Sequence, residues 1–155
     1  MSDAATASPA VSAAERQFCT FLVGDQLFGL DILDVREIVD EPSITPVAHA
    51  PTAVSGYVNI RGAIHLVLSL RQLLGTPPVE DASRRRLVVL KQRVVEQCAL
   101  QIDRVGDIVT VPVDRIEPVR GGVVADPALV AGVCHLDKRL LVVLDPARIA
   151  EGIGI

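Results

Sequence analysis

Aromatic side chains are scarce in this sequence: no tryptophan, one tyrosine and three phenylalanines in 155 residues. A barrel that binds single-stranded nucleic acid stacks bases on such rings and tracks phosphates with a basic groove. Basic surplus is missing as well, with 15 Lys and Arg against 19 Asp and Glu and a net charge of -4. Nucleic acid is therefore excluded as a partner. Cysteine is sparse; Cys19, Cys98 and Cys134 are odd in number and widely spaced. That pattern supports neither a disulfide framework nor a thiolate zinc site, and each thiol reads as a small buried hydrophobe. His49, His65 and His135 lack metal-ligand spacing, so no metal is expected. Gly121-Gly122 fits no phosphate-binding loop, and no cofactor is expected. No apolar run approaches the roughly 20 residues that span a bilayer, so direct membrane insertion is not expected. Residues 1–16, rich in Ala and Ser, lack the basic start and apolar run of a signal peptide. They read as a disordered tail on a cytoplasmic protein.

What the chain does have is aliphatic residues. Half of it is hydrophobic and the mean hydropathy is +0.42. Val and Ile, branched at Cβ, suit pleated strands better than helix interiors. The length fits one domain with a sizeable core. Residues 17–32 read as two strands around Gly24-Asp25. Residues 33–39 fit a short helix or a strand by periodicity alone. Pro42, Pro46 and Pro51 then leave little room for helix. Residues 54–70 are strand-like with a break at Arg61-Gly62, and residues 76–86 form a polar linker that ends in Arg84-Arg85-Arg86. Further strands fall near 87–90, 97–102, 108–111, 129–136 and 140–144. A helix starts at Asp145-Pro146, with Asp as N-cap and Pro in the first helical position.

Laying the second half on the first reveals a repeat. Residues 29–39 align without gaps on 99–109, with Leu30/Leu100, Ile32/Ile102, Val35/Val105, Ile38/Ile108 and Val39/Val109 identical. Ile44-Thr45-Pro46-Val47 answers Ile116-Glu117-Pro118-Val119, and Val54-Ser55-Gly56 answers Val130-Ala131-Gly132. Leu66-Val67-Leu68 answers Val142-Val143-Leu144. The second copy of the ambiguous segment runs into Val109-Thr110-Val111, which makes both copies strands. Each half is of a size at which an isolated core is marginal. Two small β-barrels packed into one cooperative unit, with a groove between them, is the expected solution.

Chemistry is harder to find. Ser69 lacks the glycines of a nucleophile elbow, and Cys134 and His135, as strand neighbours, point to opposite faces. A small β-barrel enzyme using Cys134 or Ser69 is the alternative of a different class. The departures of one copy from the other say more. Arg36-Glu37 stands where the second half has Gly106-Asp107, and Asn59-Ile60-Arg61-Gly62 stands where it has Leu136-Asp137-Lys138-Arg139. A functional surface belongs where one copy leaves the shared pattern, although Arg61 also fits a plain exposed turn.

The run Gly56-Tyr57-Val58-Asn59-Ile60-Arg61-Gly62 resembles the Gly-x-x-Asn-Leu-Arg-Gly signature of the CheW family of chemotaxis coupling proteins. Ile64-His65-Leu66-Val67-Leu68-Ser69-Leu70-Arg71 is similar to the family's following strand and Asp-Leu-Arg motif. Upstream, Phe28-Gly29-Leu30-Asp31-Ile32 with Val35-Arg36-Glu37-Ile38, then Ile44-Thr45-Pro46-Val47 and Ala50-Pro51, resemble its N-terminal pattern. Ile102-Asp103 with Val105 falls where the family has its Val-Asp-x-Val. Ser69 replaces a usual Asp, Leu66 a usual Pro, and Cys98 stands near a common Gly.

The resemblance implies an all-β fold of two intertwined five-stranded SH3-like barrels with a short C-terminal helix. The expected boundaries are a tail at 1–16, barrel 1 at about 18–75, a linker at 76–86, barrel 2 at about 87–145 and a helix at 146–151. It implies a non-enzymatic adaptor with no cofactor, located in the cytoplasm and recruited to membrane-associated receptor arrays. One partner is the cytoplasmic tip of a chemoreceptor, docked as a helix in a groove lined by Val35, Glu37, Ile38, Gly56, Val58, Arg61 and Val105. The other is the regulatory domain of the chemotaxis histidine kinase, packed near Ile44 and Thr45. The family signature carries both an Arg and a Glu at 61 and 37, which suggests that the two meet. An adaptor for a chemotaxis-like pathway controlling pili or another output fits the same residues.

Overall fold

The structure, a computed structural model, describes residues 14–75, 85–119 and 127–153. Its strands are β1 (Glu15–Val23), β2 (Gln26–Asp31), β3 (Val35–Asp40), β4 (Val54–Ile60) and β5 (Ala63–Ser69), then β6 (Arg86–Leu90), β7 (Cys98–Ile102), β8 (Arg104–Pro112), β9 (Val130–His135) and β10 (Leu140–Leu144). Two short helices follow β5 and β10: α1 (Leu70–Leu74) and α2 (Pro146–Ile153). Ser69 caps α1 by accepting from the Gln72 amide, and Gly75 ends it in a left-handed conformation. Asp145 accepts from the Ala147 amide at 3.0 Å, the cap expected for α2.

The strands form two five-stranded sheets, ordered β8-β1-β2-β10-β9 and β3-β6-β7-β5-β4. The orders are identical once each strand is replaced by its repeat counterpart. Even the parallel pairs correspond: Val142 lies opposite Phe28 in the first sheet, and Leu66 opposite Cys98 in the second. The repeat is therefore a property of the fold.

The expected division into a barrel at 18–75 and another at 87–145 does not hold. Each copy's leading strand pair sits in the other copy's sheet, β1 and β2 with β8, β9 and β10, and β6 and β7 with β3, β4 and β5. Hydrophobic periodicity fixes which face of a strand is buried but not which strand lies beside it. The other boundaries shift slightly: Glu15 and Arg16 already belong to β1, Arg86 to β6, and α2 runs to Ile153. Residues 1–13 and 76–84, the rest of the expected tail and most of the linker, lie outside the described residues.

The exchange explains why several strands read as unbroken apolar runs instead of alternating. Leu87 and Val89 enter a cluster private to the second sheet, whereas Val88 and Leu90 enter one shared by both. Leu141 and Val143 enter the first sheet's own cluster, whereas Val142 and Leu144 again enter the shared one. A strand buried on both faces needs apolar residues at every position. Three contiguous cores result, and the shared one, built from Phe21, Leu30, Leu68, Leu100 and Val142 among others, makes the sheets one unit.

Each sheet also joins its own two edges, an arrangement compatible with the expected barrels. Thr45, beyond β3, exchanges two backbone hydrogen bonds with Tyr57 of β4, both 2.8 Å. At the matching repeat position Glu117, beyond β8, exchanges two with Val133 of β9, 2.7 and 2.8 Å. Joining the edges satisfies backbone groups that an open sheet would leave bare.

Candidate functional site

The Asn59-Ile60-Arg61-Gly62 signature is a tight turn. Ile60 pairs with Ala63 across β4 and β5, leaving Arg61 and Gly62 as a two-residue loop. Their φ angles are +53° and +85°, both positive, as a primed hairpin turn requires. Asn59 Oδ1 accepts from the Gly62 amide at 2.9 Å and braces the bend. Such turns favour Asn or Asp before the Gly; an Arg in the left-handed region carries a backbone cost.

Arg61 reaches from this turn to Glu37 on β3, the opposite edge strand of the same sheet. Its Nε donates to Glu37 Oε1 at 3.1 Å and its Nη2 to the same oxygen at 2.8 Å. Arg36 donates to Glu37 Oε2 through Nε at 3.2 Å and Nη2 at 2.8 Å. The Arg61 side chain is 72% exposed and that of Glu37 only 20%, so the carboxylate is anchored while the guanidinium lies open. The expected Arg61–Glu37 meeting is thus observed. It ties the two edges of the sheet together beside the Thr45–Tyr57 bridge.

The hydrogen bonds from Arg61, then those from Arg36, hold the Glu37 carboxyl down at about 2, against an ordinary 4.5. A carboxyl whose pKa is depressed by folding contributes stability above its unfolded value. That contribution is lost as pH falls through the folded value. The acid loss attributable to Glu37 therefore falls between about pH 4.5 and pH 2. A carboxyl carbon NMR titration should place Glu37 near 2, and Arg61→Ala should move it back toward the ordinary range. A Glu37 midpoint unchanged by Arg61→Ala would remove Arg61 as the cause.

Not every expected contact residue reaches the surface. Val58 is 2% exposed and belongs to the second sheet's private core. Gly56 is buried beneath the Ile44-Thr45 backbone, where a Cβ would strike the Thr45 carbonyl oxygen. Neither can present a side chain to a partner, because β4 turns these positions inward and its alternate ones outward. The space between the sheets is filled by the shared core, so Val35 and Ile38 form its half-buried rim instead of an open groove. Val105 is 40% exposed. Thr45 is exposed, whereas Ile44 is half-buried against the second sheet's core.

Sequence reasoning missed the outward face of β4 and β5. Tyr57 and Ile64 are 43% and 52% exposed, and Tyr57 stands opposite Thr45. Val47 is exposed a short way along the same segment. The signal was present in strand alternation around the chain's one tyrosine. Among the candidate nucleophiles, Cys134 is 1% exposed and burial pushes its thiol pKa up. His135 points away from it to solvent, with a side chain 75% exposed. Ser69 is occupied as the α1 cap.

A family model described as "CheW-like domain" matches residues 17–153. The chain belongs to the CheW-like domain family. A probable chemotaxis protein CheW of Rhizobium etli is 30% identical over 134 residues, covering 84% of each chain. The chemotaxis protein CheW of Klebsiella aerogenes is 29% identical, with 84% of this chain and 78% of the relative covered. Among solved structures, the scaffolding protein TtCheW of Thermoanaerobacter tengcongensis superposes with a TM-score of 0.76 at 27% identity, covering 83% of each chain.

Against the CheW pattern, two of the three departures find structural answers. Ser69 still caps α1 in place of the usual Asp, with its Oγ 3.3 Å from the Gln72 amide. Leu66, in place of a usual Pro, donates its amide to Gln97 O at 2.9 Å, a bond proline cannot make. No helix among the described residues is long and apolar enough to cross a membrane.

Proposed function

We propose that this protein is a non-enzymatic adaptor that couples chemoreceptors to the chemotaxis histidine kinase from the cytoplasmic face of receptor arrays. The observation that carries the reading is the Arg61–Glu37 pair. It occupies the family's Asn-x-Arg-Gly turn and offers an open guanidinium at the joined edges of one sheet. The receptor's helical tip docks on this lip and on the apolar rim of Val35, Ile38 and Val105. The kinase regulatory domain packs on the outward face of the same sheet, from Thr45 to Tyr57 and Ile64. Exposed apolar residues grouped on one strand face suit burial against another protein. Ile44 supports that face from beneath.

A double-mutant cycle on Glu37 and Arg61 tests the reading. Because Arg61 is largely exposed, Arg61→Ala should leave the melting temperature almost unchanged. Affinity for a soluble receptor-tip fragment should fall at least about tenfold, the range for losing a charged contact at an interface. Affinity for the kinase regulatory domain should stay at the wild-type value. Tyr57→Ala should do the reverse. Receptor binding unchanged by Arg61→Ala would show that the lip is not the receptor site.

A further inference from the structure

The shared apolar core packs the two sheets at an angle set by their interdigitating side chains, and a directional polar contact can fix that angle more narrowly. The structure has one where the chain crosses from one sheet to the other. β7 ends at Ile102 in the second sheet and β8 begins at Arg104 in the first, so Asp103 is the entire connection. Arg71 of α1, which directly follows β5 of the second sheet, donates through Nε to Asp103 Oδ1 at 3.0 Å and through Nη2 to Oδ2. Asp103 Oδ2 also accepts from the Gly24 amide at 2.7 Å, in the turn joining β1 and β2 of the first sheet. The Asp103 amide donates to Leu22 O at 3.1 Å. The two side chains are only 14% and 15% exposed. A forked guanidinium on a half-dry carboxylate fixes both distance and direction.

The other crossover, from β2 to β3, is built differently. Leu33 takes the repeat position of Asp103 and is 62% exposed. Arg93 holds that crossover by donating to the Leu33 carbonyl at 2.6 Å and pairing with the Asp34 carboxylate at 3.7 Å. The Lys91 amide donates to the Asp34 carbonyl at 2.9 Å. Among the described residues, no forked guanidinium there reaches across to the first sheet's β1–β2 turn. Val35 begins β3 directly after one crossover, and Val105 stands two residues beyond Asp103 at the other. Each residue thus follows a crossover on its own sheet, so the relative placement of the two depends on how the sheets are set against each other.

We infer that Arg71 and Asp103 are positioning residues that set the angle between the two sheets and so the receptor-facing spacing of Val35 and Val105. The receptor part rests on the adaptor reading; the angle does not. Ser69 serves the same end, since a five-residue helix needs its cap to hold Arg71 in place.

The test places nitroxide labels on Glu96→Cys, exposed in the connection between β6 and β7 of the second sheet, and Lys138→Cys in the turn between β9 and β10 of the first, since the native cysteines are buried. Pulsed electron resonance then reads the inter-sheet distance. Arg71→Gln and Asp103→Asn should each shift or broaden the distribution, and Arg71→Lys, which keeps the charge but not the fork, should do so less. Receptor-tip affinity should weaken several-fold in step with the distance change, while kinase-domain affinity, confined to one sheet, stays constant. Should Arg71→Gln fail to fold, Asp103→Asn carries the test because it keeps an acceptor for Gly24. Distributions identical to wild type overturn the inference, as does an equal loss of both affinities. Wild-type protein that binds no receptor tip sinks the adaptor reading instead, and the distance measurement still decides the angle.

Discussion

Cut between residues 80 and 81, the two fragments will each be unfolded alone and will fold when mixed. The reason is the exchanged strand order. The first fragment keeps the β1–β2 and β4–β5 hairpins but leaves β3 with no neighbour, since β3 pairs only with β6. It also loses the parallel pairing of β2 to β10 and of β5 to β7. The shared core is lost with them: Phe21, Leu30 and Leu68 come from one fragment, Leu100, Val142 and Ile149 from the other. A lone hairpin is marginal at best in water, and a 70- to 80-residue fragment with half a core cannot offset its chain entropy. The intact chain should unfold in one transition, with calorimetric and van't Hoff enthalpies equal. Circular dichroism of each fragment and of the mixture checks the complementation. Two transitions, each reproduced by one fragment, would mean the sheets fold independently and would contradict the interlocked core.

How much of this was legible in the sequence depends on which link is read. The repeat was legible because corresponding residues do corresponding jobs. Gly56 and Gly132 both lie beneath the strand that closes their sheet, and Thr45 and Glu117 are the residues that close it. The Arg61–Glu37 pairing was legible through the departure of one copy from the other. Strand exchange was not. Leu87-Val88-Val89-Leu90 states that both faces are buried, yet nothing in it says that one face looks into a core supplied by the other half. The burial of Val58 was missed for a different reason. Alternation carried it, with Gly56, Val58 and Ile60 on one face of β4 and Ser55, Tyr57 and Asn59 on the other, but the family signature drew attention to the run as a whole instead of to its faces.

The steepest loss of stability from adding one methyl group at a glycine should come from Gly56→Ala. Gly56 has a φ of +144°, a conformation L-residues rarely adopt. A Cβ there would also collide with the Thr45 carbonyl oxygen and approach Ile44 Cγ2 and the Thr45 carbonyl carbon at 2.8 Å. The obstruction is mainly backbone, so no side-chain rotation relieves it. Keeping the positive φ costs roughly 1–3 kcal/mol, and because the clash is with backbone Thr45 must also move away. That movement breaks its two hydrogen bonds to Tyr57, each contributing about 0.5–1.5 kcal/mol. Together these give about 2–6 kcal/mol, a large share of the roughly 5–15 kcal/mol of a typical domain. Gly62→Ala is the control. Its φ of +85° is also positive, but nothing lies within 4 Å of an added Cβ. It should cost only the backbone strain, about 1–2 kcal/mol. Gly132→Ala falls between them: its φ is not in the positive range, and the nearest atom, Ile116 Cγ2 at 2.7 Å, belongs to a side chain that can turn, although Glu117 O follows at 2.9 Å. Urea denaturation of the three variants reads the series directly. Equal losses for Gly56→Ala and Gly62→Ala would show that backbone strain alone is felt and that Thr45 does not press on β4. The same closure brings β3 alongside the β4–β5 turn. A Gly56→Ala protein that still folds should therefore have a Glu37 carboxyl that titrates higher than in the wild type, as the contact with Arg61 loosens.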